Sequence, residues 1–173
     1  MSFYGRDGSL ENPTRFSSLD KNRICCTADQ LRMSDSILLQ AIKEFNKLHS
    51  KKNVKPKPTS EILSYIKDNL LVLFVDDKYA IGLDVGYTWF SDEKYLLEEF
   101  VFKYGEGPAT MQDISDAIAC VGKAMGCVRA RVGTLAADSP ERHRALAHLY
   151  TKAGFKLDAI TLTREIDYGT SNR

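Results

Sequence analysis

A chain of 173 residues, 43% hydrophobic and 27% charged, has the size and composition of one globular domain able to bury a sizeable core. Lys and Arg number 24 against 23 Asp and Glu, a net charge of +1 that argues against generic attraction to nucleic acid or anionic membrane. No apolar run has membrane-spanning length, the first residues lack a signal-peptide core, and Cys25, Cys26, Cys120 and Cys127 show no zinc spacing, so a cytoplasmic protein with reduced thiols and no metal is expected.

In chain order, residues 1–22 are polar and aperiodic, with Gly5, Gly8 and Pro13, and read as an extended arm. Ile24 to Thr27 suits a short strand. Ser34 is a plausible helix cap, and Ile37, Leu38, Ala41, Ile42, Phe45 and Leu48 then form one helical face ending near His49. A basic, proline-containing loop over 50–58 precedes a short helix capped by Thr59 and carrying Ile62, Leu63 and Ile66. Leu70 to Val75, a turn at Asp76-Asp77 and the run from Lys78 to Trp89 predict a hairpin. In its second strand Ile81, Leu83, Val85 and Tyr87 share one face. Ala80, Gly82, Asp84 and Gly86 leave the other nearly bare, open to close approach.

A third strand over Tyr95–Lys103 leads into Gly105-Glu106-Gly107-Pro108. A helix through Ile114, Ala117, Ile118, Val121 and Met125 follows, then the strand CVRARVGT, where Arg129 and Arg131 share a face. The last helix has Ser139 as cap, Pro140 in its first turn, Leu146, Leu149 and Tyr150 at helical spacing, and Gly154 as its stop. Phe155 opens a final strand, FKLDAITLTREI. The order β-α-α-β-β-β-α-β-α-β implies an α/β (α+β) domain over 23–166, a mixed, mostly antiparallel sheet with helices on both faces, and a tail over 167–173.

Three segments, in this order, resemble the GNAT acyl-CoA N-acyltransferases: the hairpin VDDKYAIGLDVG, the strand LLEEFVF, and ALAHLYTKAGFKL, which is similar to that family's closing helix and strand. The resemblance implies acetyl-CoA or another acyl-CoA as cofactor, a small-molecule or protein amine as acceptor, and direct acetyl transfer. It places a general base at Glu99, or its neighbour Glu98, and at Tyr150 the acid for the departing thiolate. It places cofactor contacts at Val101, Phe102, Gly105, Gly107, Ala109, Thr110 and His143. The chemistry needs such a set: amides at a helix N-terminus for a diphosphate, a tuned base for the amine proton, and an acid for the leaving group.

The chain departs from that pattern in its loop. Phe102 stands where the family carries Arg or Gln, Glu106 puts a negative charge beside a diphosphate, and Pro108 removes an amide donor. His143 replaces an Asn. These departures motivate an alternative: a GNAT-like scaffold without catalysis, an assembly component of the phage-virion kind, whose arm with Phe3, Tyr4, Arg6 and Phe16 docks on a protein partner. An oligomer is compatible with either reading. Tyr150 as a packing residue, and the two glycines as a tight turn, are the plainer explanations of the same residues.

Overall fold

A computed structural model describes residues 14–16, 24–25, 28–50, 56–133 and 139–158. In chain order the elements are β1 (Thr14–Phe16), β2 (Ile24–Cys25), α1 (Ala28–Ser50), α2 (Thr59–Asn69), β3 (Leu71–Val75), β4 (Tyr79–Thr88), β5 (Ser91–Lys103), α3 (Met111–Ala124), β6 (Arg129–Arg131) and α4 (Pro140–Lys152). The strands form one sheet in the order β2-β1-β3-β4-β5-β6. β1–β3 and β5–β6 pair in parallel and the other neighbours antiparallel. The expected mixed sheet with helices on both faces is the architecture observed. Among the described residues no helix is long and apolar enough to cross a membrane.

The apolar run Leu71–Val75 is buried because it is covered from both sides. Leu73, Val75, Ile81, Leu83 and Leu96 meet Ile114, Ala117, Ile118 and Val121 of α3 on one face. Val72, Phe74 and Ala80 meet Leu38 and Ile42 of α1 and Ile66 of α2 on the other. Each such aliphatic side chain contributes about 1.5–3 kcal/mol on burial, so the two layers rather than local propensity hold the helices in place.

Several boundaries moved. α1 begins at Ala28, ahead of the expected cap Ser34. Thr59 is the first residue of α2 rather than its cap; Pro58 takes that position, and its carbonyl accepts from the amides of Glu61 (3.0 Å) and Ile62 (3.2 Å). Thr14–Phe16, within the stretch read as an arm, pairs with β2 and β3. The strand CVRARVGT shortens to Arg129–Arg131. Residues 155–158, the start of the expected final strand, are described and form no strand; the rest of that segment, the rest of the arm, much of the basic loop and the tail lie outside the described residues.

The bare face of β4 is filled from the neighbouring strand. A Cβ at Gly82 would lie 2.2 Å from the Phe100 ring, and one at Gly86 2.8 Å from the Tyr95 ring, so aromatic rings of β5 lie across both glycines. The Asp76-Asp77 turn forms as expected. Both residues have left-handed backbone (φ 45° and 53°), as the two central positions of a type I′ turn require, and the Lys78 amide closes the turn on the Val75 carbonyl at 3.0 Å.

Helices α3 and α4 end alike. The Cys127 amide donates to Gly122 O (2.8 Å) and Gly126 N to Lys123 O (3.2 Å), while Phe155 N donates to Tyr150 O (3.0 Å) and Gly154 N to Thr151 O (3.1 Å). Gly126 (φ 69°) and Gly154 (φ 95°) take the left-handed position of this Schellman cap. Space around Gly154 is open, so Gly154→Ala tests conformation alone. Its unfolding free energy in urea should fall by about 1–2 kcal/mol; an unchanged value would rule out this cap.

Candidate active site

Tyr150 is placed by the two ends of its helix. Ser139 caps α4, its Oγ accepting from Arg142 N at 3.3 Å, and Pro140 occupies the first turn. At the far end the Schellman bonds set Phe155 edge-on to Tyr150, ring centroids 5.4 Å apart. This is the apolar contact such a cap brings together. Ser115 of α3 donates its hydroxyl to Ala153 O at 2.7 Å and ties the end of α4 to the core. Tyr150 is left 4% exposed, so its hydroxyl needs a partner inside the protein.

That partner comes from β5. Along β4–β5, Gly82 pairs with Phe100 and Leu83 with Glu98, so Glu99 is an extra residue on β5, a β-bulge. Glu98, opposite the buried Leu83, points toward α3 and α4, whereas Glu99 is exposed. The Tyr150 hydroxyl donates to Glu98 Oε2. Burial raises the Glu98 carboxyl from the usual 4.5 to about 7; the Tyr150 hydrogen bond lowers it in part, and Glu99 adds a smaller upward push. The Tyr150 hydroxyl is pushed well above its ordinary value, first by burial, then by the Glu98 charge and the shared hydrogen bond. A carboxyl poised near neutrality against a phenol is an arrangement suited to proton transfer.

The pair sits at a fork. β5 and β6 are in register only over Tyr95–Arg129, Leu96–Ala130 and Leu97–Arg131. β5 continues from Glu98 to Lys103 with no described strand paired on that edge. Glu98 is therefore the first residue past the point where pairing stops.

The residues assigned to the cofactor end lie around the β3–β4 turn. Lys78 O accepts from Tyr104 N (2.8 Å) and Gly105 N (3.3 Å), and Lys78 Nζ donates to Ala109 O (2.6 Å). A Cβ at Gly105 would stand 2.1 Å from Asp77 O and one at Gly107 1.8 Å from Asp76 O. Backbone packed on backbone thus accounts for both glycines without a phosphate. Ala109 is fully buried, and Val101 packs on the α3-side core opposite Ile81. Phe102 pairs with Ala80.

Thr110 caps α3. Its amide donates to Asp113 Oδ2 at 2.7 Å, and Asp113 N donates back to Thr110 Oγ1 at 3.4 Å. This capping box uses amides that an anion would otherwise find free. The Thr-x-x-Asp spacing at 110–113 was its legible signal. Lys103 pairs with Glu106 at 2.8 Å and holds that exposed carboxyl below its usual range. His143, in the first turn of α4, stands about 10 Å along the axis from Tyr150. Arg129 and Arg131 line a half-open cleft of about 330 Å³ with Phe90, Tyr95 and Val128, where Arg131 stacks 4.7 Å over the Tyr95 ring.

Neither a protein-family model nor a curated protein matches the chain. Solved structures do. An aminoglycoside acetyltransferase from an uncultured soil metagenomic sample superposes with a TM-score of 0.51 at 9% identity, covering 82% of this chain and 95% of that one. A probable acetyltransferase gives 0.51 at 14% identity, covering 83% and 97%. The fold is therefore one that acetyltransferases use; at these identities the likeness speaks for the fold alone.

Two outcomes follow. Gly107→Ala should lose about 1–3 kcal/mol of stability by urea denaturation, because its Cβ must displace the Asp76 carbonyl, whereas Gly133→Ala, in open space, should change it by less than about 0.5 kcal/mol. Equal effects would contradict the close approach. For Glu98 the folded carboxyl holds its proton above the unfolded value, so its share of stability is full below about pH 4.5 and is lost as pH rises to about 7. Glu98→Gln, which keeps an acceptor for Tyr150, should therefore gain stability over the parent at pH 8, by up to the order of 3 kcal/mol. The gain should vanish near pH 4.5; a pH-independent difference would refute the shift.

Proposed function

We propose that this chain is an N-acyltransferase of the GNAT kind, moving an acyl group, acetyl in the simplest case, from acyl-CoA to an amine by direct transfer. The observation that carries the reading is the part-buried Glu98–Tyr150 pair at the end of the β5–β6 pairing, in a fold that acetyltransferases share. Glu98 accepts the proton that the amine loses as its nitrogen bonds to the thioester carbon. Tyr150 supplies a proton to the sulfur as the C–S bond breaks. Glu98, rather than the exposed Glu99, takes the base role because it is the one bonded to the phenol, and burial raises its carboxyl to about 7.

The reacting end of an acyl-CoA suits this pair, and the diphosphate end finds fewer donors. Gly105 N and Thr110 N are committed to Lys78 O and Asp113, leaving the Met111 and Gln112 amides at the start of α3, which lack intrahelical acceptors. Two cations stand nearby, Lys103, reached by displacing Glu106, and Lys78, already bonded to Ala109 O.

The same loop favours a second reading, a scaffold of this fold that serves assembly and binds no acyl-CoA. Its glycines face Asp76 and Asp77 carbonyls, and its helix start is closed by its own carboxylate. Calorimetric titration with acetyl-CoA separates the two. Micromolar binding supports the transferase; no heat at millimolar ligand leaves the scaffold. With binding established, Tyr150→Phe should lower kcat about 10²-fold while donor affinity stays within about threefold. An unchanged kcat would remove Tyr150 from the chemistry.

A further inference from the structure

We propose that Glu98 and Tyr150 act as one hydrogen-bonded relay, passing a single proton from the attacking amine to the departing sulfur within each turnover. This rests on the acyl-transfer reading and adds to it that base and acid are not independent groups. Hydrogen-bond counting leads there. A phenol has one hydrogen, and Tyr150 gives it to Glu98 Oε2, so in the resting site it does not point at a sulfur. Glu98 keeps its second oxygen, Oε1, for the amine. Once Oε1 has taken the amine proton, a half-turn of the carboxyl about its Cγ–Cδ bond brings that O–H to the phenol and the bond between the two residues reverses: the carboxylic acid donates, the phenol oxygen accepts, and the Tyr150 hydrogen is released toward the sulfur. Taking the first proton is what frees the second.

The step balances. The amine nitrogen bonds to the acyl carbon, and the C–S electron pair leaves with sulfur. The nitrogen's proton goes to Glu98, Tyr150's proton goes to sulfur, and Glu98's proton restores Tyr150. The products are an amide and a free thiol, with both side chains in their starting state and no proton drawn from solvent.

The surroundings require the coupling. A thiol titrates near 8.5, well below a phenol. Tyr150 is buried and faces a carboxylate, so giving up its proton alone is uphill and leaves a phenolate in an apolar setting. Replacement of that proton from Glu98, poised at about 7, makes the net transfer carboxylic acid to thiolate, which is downhill. Among the described residues, the charged and titratable neighbours acting on Glu98 are Tyr150 from α4 and Glu99 on its own strand, while β4 opposes it with the apolar Leu83. Tyr150 stays in place because Phe155 and the helix cap hold its ring, so Tyr150→Phe leaves the packing intact.

The test is a double-mutant cycle on the full chain, reading thiol release from acetyl-CoA across a panel of small primary amines that includes an aminoglycoside. Glu98→Gln, Tyr150→Phe and the double variant are compared, with melting temperatures confirming that each folds. A relay predicts that each single change costs about 10²-fold in kcat and that the double change costs no more than either, within about threefold. It also predicts that Tyr150→Phe moves the rise of kcat/KM to higher pH, because the phenol bond that lowers the Glu98 carboxyl is gone. Losses that multiply toward 10⁴-fold, or a single variant of undiminished rate, overturn the relay and leave acyl transfer standing. No thiol release from the unaltered chain with any amine, together with no binding of acetyl-CoA, overturns both.

Discussion

The extra residue in β5 sets the arrangement of everything around it. With Glu99 bulged out, Leu96, Glu98 and Val101 all serve the α3–α4 side, while Phe100 turns to α1 and α2 and covers Gly82. Had the strands stayed in simple alternation past Leu83, Phe100 would oppose Ile81 and face α3, and Val101 would turn away from it. The bulge therefore keeps both cores apolar and delivers one carboxylate, not two, to the buried side. It also sits just past the end of the described β5–β6 pairing, which leaves that carboxylate next to the last paired residue, Leu97.

A carboxyl in that position is costly unless something accepts the cost. Tyr150 is the compensating group: its hydroxyl bonds to Glu98, and its ring is fixed by Phe155 and by the anchoring of α4 to Ser115. Burial leaves the pair with a carboxyl near neutrality and a phenol that resists ionisation. Stability and chemistry pull in opposite directions here, since the carboxyl that would carry the reaction is also one that weakens the fold as pH rises.

The loop from Gly105 to Thr110 shows the opposite allocation. Its glycines, the Lys78 bonds and the Thr110–Asp113 capping box all join β5 and α3 to the β3–β4 turn. Backbone packed this closely tolerates no side chain at Gly107, and it commits donors that a diphosphate would use. One glycine pattern fits a phosphate loop and a hairpin strap equally well in sequence; contact distances distinguish them.

Local patterns determined most of the architecture. The unbroken apolar run at Leu71–Val75, the helical spacing of Ile114 to Val121 and the Asp76-Asp77 turn each depend on near neighbours in the chain, and each appears where its pattern lies. The stretch Tyr150-x-x-x-Gly154-Phe155 is likewise a local instruction, because a left-handed glycine between two residues that pack together ends a helix by short-range bonds alone. What tertiary structure decided were the choices that depend on a partner far along the chain. Whether Glu98 or Glu99 faces inward depends on the register of β4, fifteen residues back from Glu98 at Leu83, and a bulge leaves no mark in the strand that carries it. Whether Tyr150 merely packs or also holds a proton depends on that same carboxylate, which the fold brings to it across 52 residues. Sequence fixes a side chain's chemistry and its local direction; only the assembled sheet fixes what it meets.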